Sequence, residues 1–160
     1  MARPVRVYAD TSVFGGTCDT EFTEASRAFF DLVRASRFDL VVSTVVVDEL
    51  TNAPDGVRSL FTEMLAYAEV LEPSDEAAAL QQAYLDASIV TAAHRQDAFH
   101  VASASVSGCA MIVSWNFKHI VNYRRVPLYN AVNVGAGYTP ITICSPLEVI
   151  GDDDDNEEDV

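Results

Sequence analysis

The sequence predicts an α/β fold with a mostly parallel central sheet flanked by helices, and three observations predict it. Short apolar runs alternate with longer segments of helical spacing, the order that builds parallel strands joined by crossovers. The first run, Val5–Ala9, is apolar or aromatic at four of its five positions, as a strand covered on both faces requires. Finally, 160 residues of which 49% are hydrophobic fill one core, and no internal repeat divides them.

Taken in order, Val5–Ala9 reads as the first strand, ending at Asp10. Residues 20–36 place Phe22, Ala25, Phe29, Leu32 and Val33 on one helical face. A second strand is expected over 39–43, with Thr44 capping a helix through Val45, Val46, Glu49 and Leu50. Pro54 and Asp55 break the chain before helical spacing resumes over 57–68. Val70 and Leu71 suggest a third strand, and Ser74 caps an alanine-rich helix over 75–87. A helix of small residues over 98–107 closes at Gly108, where a left-handed residue is wanted. Residues 110–114 form another buried strand, and Asn116 caps a short turn over 117–120. Pro127 and the glycines interrupt any helix in 123–137, and residues 141–144 read as the last strand.

Charge and cysteine content bound the function. The net charge is −14, and seven of those charges fall in residues 152–159, leaving −7 on the body. Such a run repels itself, so the expectation is one domain over 1–150 and an acidic disordered tail over 151–160. An acidic body argues against holding nucleic acid by charge alone, although a bound cation reverses the local sign. No stretch approaches the roughly 20 apolar residues of a membrane span. Residues 1–8 hold no signal-like run, and Cys18, Cys109 and Cys144 match neither a disulfide framework nor a zinc knuckle. A cytoplasmic location without membrane attachment is expected.

Four oxygen-bearing side chains fall where parallel sheets gather function, at or near the carboxyl ends of strands. Asp10 follows the first strand and precedes Thr11 and Ser12; Asn116 follows the strand ending at Ser114. Glu49 lies on the helix after the second strand, and Asp97 opens a helix whose dipole stabilises an anion. Oxygen-only ligands favour Mg²⁺ or Mn²⁺ over zinc. Each residue taken singly also has an ordinary role: a cap for Asp10 and Asn116, a first-turn charge for Asp97, a solvated face for Asp48 and Glu49. His94, His100 and His119 show no ligand spacing with cysteine and read as structural, His119 being the best functional outsider beside Asn116. Trp115 reads as core or wall, and Lys118, Arg124 and Arg125 as a solvated loop.

The run Val7-Tyr8-Ala9-Asp10-Thr11-Ser12-Val13 resembles the opening strand and first acidic residue of PIN domains. Asp48-Glu49-Leu50 resembles their second motif, Asp97-Ala98-Phe99-His100-Val101-Ala102-Ser103-Ala104 their third, and Ser114-Trp115-Asn116-Phe117-Lys118-His119-Ile120 their fourth. The resemblance covers roughly residues 5–145 and is nearest to the VapC-type toxins of bacterial toxin–antitoxin pairs. It implies a PIN-like three-layer fold and a metal-dependent ribonuclease in which Asp10, Glu49 and Asp97 hold Mg²⁺ or Mn²⁺. It further implies a catalytic set of Asp10, Glu49, Asp97 and Asn116, with Thr11 and Ser12 supporting. The partners it implies are an RNA substrate and a small antitoxin protein, with a homodimer open. One departure stands out: the fourth position is commonly Asp in that family, and here it is Asn116. That substitution motivates a second reading, a PIN-fold binding module that has lost activity. A phosphatase using Asp10 as nucleophile is disfavoured, because Ser12 stands where a second Asp is usual.

Overall fold

Val7, Tyr8 and Ala9 have no solvent exposure, so strand β1 (Val5–Ala9) is covered on both faces. The structure, a computed structural model, describes residues 3–151. Of the tail expected over 151–160, all but Gly151 therefore lies outside the described residues. Five strands, β1, β2 (Phe38–Ser43), β3 (Ala68–Leu71), β4 (Met111–Val113) and β5 (Thr142–Cys144), make one parallel sheet in the order β3-β2-β1-β4-β5. Tyr8 pairs with Val41 on one side of β1, and Ala9 with Val113 on the other. The chain steps outward from β1 to β3, then crosses to β4. The carboxyl ends of β1 and β4 thus flank the point where the strand order reverses.

Right-handed crossovers place the connections before β3 on one face and those after it on the other. Helices α1 (Thr11–Gly16), α2 (Thr23–Arg34), α3 (Thr44–Glu49) and α4 (Asp55–Met64) belong to the first group. There α1 packs on α2 and α4, and α8 (Pro146–Ile150) returns to pack on α2. On the other face α5 (Asp75–Asp86) packs on α6 (Arg95–Val106), and α7 (Val126–Gly135) leans on α5. The expected three-layer α/β architecture, a parallel central sheet flanked by helices, is borne out. No described helix is long and apolar enough to cross a membrane.

Local expectations were corrected in five places. Ser43, not Thr44, is the N-cap of α3, and it makes no side-chain cap because its hydroxyl meets the Tyr8 hydroxyl at 2.7 Å. The helix expected to reach residue 68 stops at Met64, because Ala68 pairs with Leu40 in the sheet. Helix α6 starts at Arg95, after a 3-10 turn over Ala92–His94, which puts Asp97 inside its first turn rather than at its opening. Pro127 starts α7 instead of interrupting it, since a proline in the first turn forfeits no helical hydrogen bond. Short helices α1 and α8 went unread; α1 is capped by Asp10 and α8 by a Ser145–Glu148 capping box. Gly108 does adopt the left-handed conformation, at φ +76°, behind α6.

Candidate active site at the strand ends

Asp10 leaves β1 with only 4% of its surface exposed. One carboxylate oxygen, Oδ1, accepts from the Ser12 backbone N–H at 3.1 Å and the Ser12 hydroxyl at 2.6 Å. The other, Oδ2, accepts from the Ser114 hydroxyl at 2.6 Å. The two serines are themselves fixed: Trp115 N–H donates to Ser12 Oγ at 2.8 Å, and Asn116 N–H to Ser114 Oγ at 2.9 Å. Burial pushes the Asp10 carboxyl above the ordinary range. The His100 charge and the Ser114 and Ser12 hydrogen bonds act against this, and the Glu49 charge adds to it. Among the described residues, the three direct donors to Asp10 are neutral, and no cationic side chain is hydrogen-bonded to this buried carboxylate.

Glu49 closes α3 and reaches back to the same strand end. Its Oε1 accepts from the Thr11 hydroxyl at 3.0 Å and pairs with His100 Nε2 at 2.8 Å. An ionised carboxylate only accepts, so Nε2 carries a proton, and Nδ1 lies 2.7 Å from the Tyr8 hydroxyl. The Tyr8 and Ser43 hydroxyls are hydrogen-bonded at 2.7 Å, completing a buried chain from β2 to α3. Burial alone would raise the Glu49 pKa, but the hydrogen bond and charge of His100, with the Thr11 hydroxyl, hold it below the usual value.

Asp97 and Asn116 meet through the turn after β4. Asn116 Oδ1 accepts from the backbone N–H groups of Lys118 at 3.2 Å and His119 at 2.9 Å, capping the turn after β4 as expected. That turn presents His119 Nδ1 to Asp97 Oδ2 at 3.2 Å, while His94 Nδ1 lies 3.9 Å from the same oxygen. Burial lowers the His119 pKa, helped by His94, Arg125 and Lys118 and opposed by Asp97. Among the described residues, Asp10, Glu49 and Asp97 do not bring their ligand oxygens within 4.8 Å of one another, whereas His94, Asp97 and His119 bring theirs that close. Direct coordination of one small ion by all three carboxylates is thus not preformed. Mg²⁺ keeps several waters and uses one or two carboxylates, so oxygen donors of this kind suit it without converging on one ion.

Sequence reasoning missed Ser114, Tyr8 and His100 as parts of the network. Ser114 was visible only as the end of a strand. His100 carried one signal, an imidazole one turn after Asp97 in a stretch of helix otherwise of small or apolar residues from Ala98 to Val106. Trp115 is a wall as read: it is buried, donates its indole N–H to Ser26 and stacks on Phe22 with centroids 4.2 Å apart.

No family model matches this sequence, and no curated protein does. Among solved structures, one chain of VapBC2 from Rickettsia felis bound to a DNA fragment from their promoter is similar, with a TM-score of 0.53. The alignment is 13% identical and covers 71% of this chain and 90% of that one. At that identity the likeness is one of fold.

Proposed function

We propose that this chain is a Mg²⁺- or Mn²⁺-dependent endoribonuclease, the toxin of a toxin–antitoxin pair, acting in the cytoplasm. The observation that carries this reading is Asp10, a buried carboxylate at the strand-order reversal whose hydrogen-bond donors among the described residues are neutral. Burying an anion without a paired cation is costly, and a divalent ion is the partner that would offset the cost. The fold shared with a VapBC2 chain supports the same reading, as does the order of the four motifs.

Asp10, Glu49 and Asp97 would hold the ion, and it would supply a water of lowered pKa and charge to set against the scissile phosphate. Ser12 and Ser114 fix the Asp10 carboxylate, and Thr11 and His100 orient Glu49. Asn116 shapes the turn that carries His119. RNA would approach an acidic body, so its binding would draw on the ion more than on basic residues. A small antitoxin protein would keep the site silent.

A second reading, an inactive PIN-fold binding module, is favoured by one observation. The Asn116 amide oxygen is already engaged by two backbone N–H groups, and it brings no charge. Cleavage of a mixed RNA pool with Mg²⁺ or Mn²⁺, by the antitoxin-free chain, separates the two. The expected result is cutting by the wild type, at least about 100-fold slower cutting by Asp10→Ala or Asp97→Ala, and retained or faster cutting by Asn116→Asp. If the wild type is inert and Asn116→Asp cuts, the binding module is the better account. Wild-type rates in Asp10→Ala and Asp97→Ala would refute the site.

A further inference from the structure

We propose that His94, Asp97 and His119 form a site for an imidazole-preferring divalent cation of the zinc class, which shares Asp97 with the proposed oxygen site but draws its other ligands from two imidazoles. The three residues come from the 3-10 turn Ala92–His94, the first turn of α6 and the turn after β4. Their ligand atoms lie within 4.8 Å of one another, and both imidazole Nδ1 atoms face the same Asp97 Oδ2. Two nitrogens and one carboxylate oxygen, with positions left for water, make a donor set that zinc and its late first-row neighbours take. Mg²⁺ prefers oxygen throughout, so the set selects against it.

The supporting structure is uneven in a way that suits capture of an ion. His119 is buried, and its backbone is held at both ends: Asn116 Oδ1 accepts from its N–H, and its carbonyl accepts from the Tyr129 hydroxyl at 2.8 Å. Asp97 is fixed to α6 and 22% exposed at its side chain. His94 has a side chain 45% exposed and so keeps freedom to move. Its ring stacks on His119 with centroids 3.8 Å apart. Two imidazoles on one ion fan apart, so binding would swing His94 outward while His119 and Asp97 stay. Arg125 and Lys118 act electrostatically on His119 and would weaken cation binding without blocking it.

This inference goes beyond the nuclease reading and is tested without RNA. The untagged, metal-stripped chain is titrated with Co²⁺, whose visible absorption reports imidazole ligation, and then with Zn²⁺ as competitor. One equivalent of Co²⁺ is expected to bind, to be displaced by Zn²⁺ and to resist excess Mg²⁺. His94→Ala, at an exposed position that tolerates truncation, should weaken binding by about tenfold or more, as should His119→Gln, while Glu49→Gln should not. Equal affinity in wild type and His94→Ala overturns the proposal. So does loss of binding in Glu49→Gln alone, ready displacement by Mg²⁺, or no binding at all. Co²⁺ binding of the expected pattern in a chain that cuts no RNA supports this site and counts against the nuclease reading alone.

Discussion

At the scale of single residues, burial raises the pKa of both Asp10 and Glu49, yet their partners leave the two shifted in opposite directions. Glu49 is held below the usual carboxylate pKa by His100 and Thr11, so it stabilises the fold above its unfolded value and that contribution is lost as pH falls through the folded pKa. Asp10 is raised by burial, so the folded state holds its proton more readily than the unfolded chain. Stability is therefore lost as pH rises from the ordinary carboxylate range through the folded value. Asn in its place keeps the shape, still accepts from Ser12 and cannot ionise. In chelator, Asp10→Asn is expected to raise Tm by about 2 °C or more near pH 7.5, a gap that narrows toward about pH 4. Thermal melts across that range check it; a gap independent of pH would show that ionisation of Asp10 costs nothing. The same substitution removes a proposed ligand, a trade of function against stability expected at active sites.

Among the elements, α1 is the one whose packing sets Asp10. It begins at the Asp10 cap and ends at Gly16, where a Cβ would lie 2.5 Å from Ser26 Oγ on α2 and 2.8 Å from Trp115 Nε1. Those two atoms are hydrogen-bonded to each other at 2.8 Å, so neither moves without breaking the contact between α2 and the loop after β4. Gly16→Ala should therefore cost about 1–3 kcal/mol, the usual range for overpacking. Gly15, its neighbour in the same helix, has nothing within 4 Å of its would-be Cβ. Gly15→Ala should be neutral or stabilising by up to about 1 kcal/mol through helix propensity. Urea titrations of the two variants give the comparison, and equal stability of both would refute the close approach.

Considered whole, the molecule has a net charge of −14, with seven negative charges in residues 152–159 and three more carboxylates, Asp10, Glu49 and Asp97, in its proposed site. Divalent cations should then stabilise it in two ways, by screening and by specific binding. Only the second depends on particular side chains. At an Mg²⁺ concentration 100 times its Kd, binding to the folded state alone adds about 2.7 kcal/mol. The expectation is a Tm rise with MgCl₂ beyond that with NaCl of equal ionic strength, and its disappearance in Asp10→Asn, Asp97→Asn. Equal rises in both proteins would mean that the ions act on overall charge.

The sequence by itself determined the alternation of elements, the buried character of β1, the Ser74 and Asn116 caps and the left-handed Gly108. Each depends on residues within one or two turns of each other, where pattern and propensity act directly. It also marked Asp10, Glu49, Asp97 and Asn116 as oxygen donors at or near strand ends, their roles as ligands and catalysts remaining proposed. Tertiary structure decided the rest. Residues 126–135 become α7 although the sequence is ambiguous there, because buried Asn133 accepts from Tyr84 and donates to Ser105, docking the helix on its neighbours. Ser43 gives up its cap to Tyr8, and His100 links Tyr8 to Glu49 across separations of 92 and 51 residues. No local pattern encodes such links. They exist because the strand order puts β1 between β2 and β4, so side chains distant in the chain share one buried edge, where each polar group must find its partner among them.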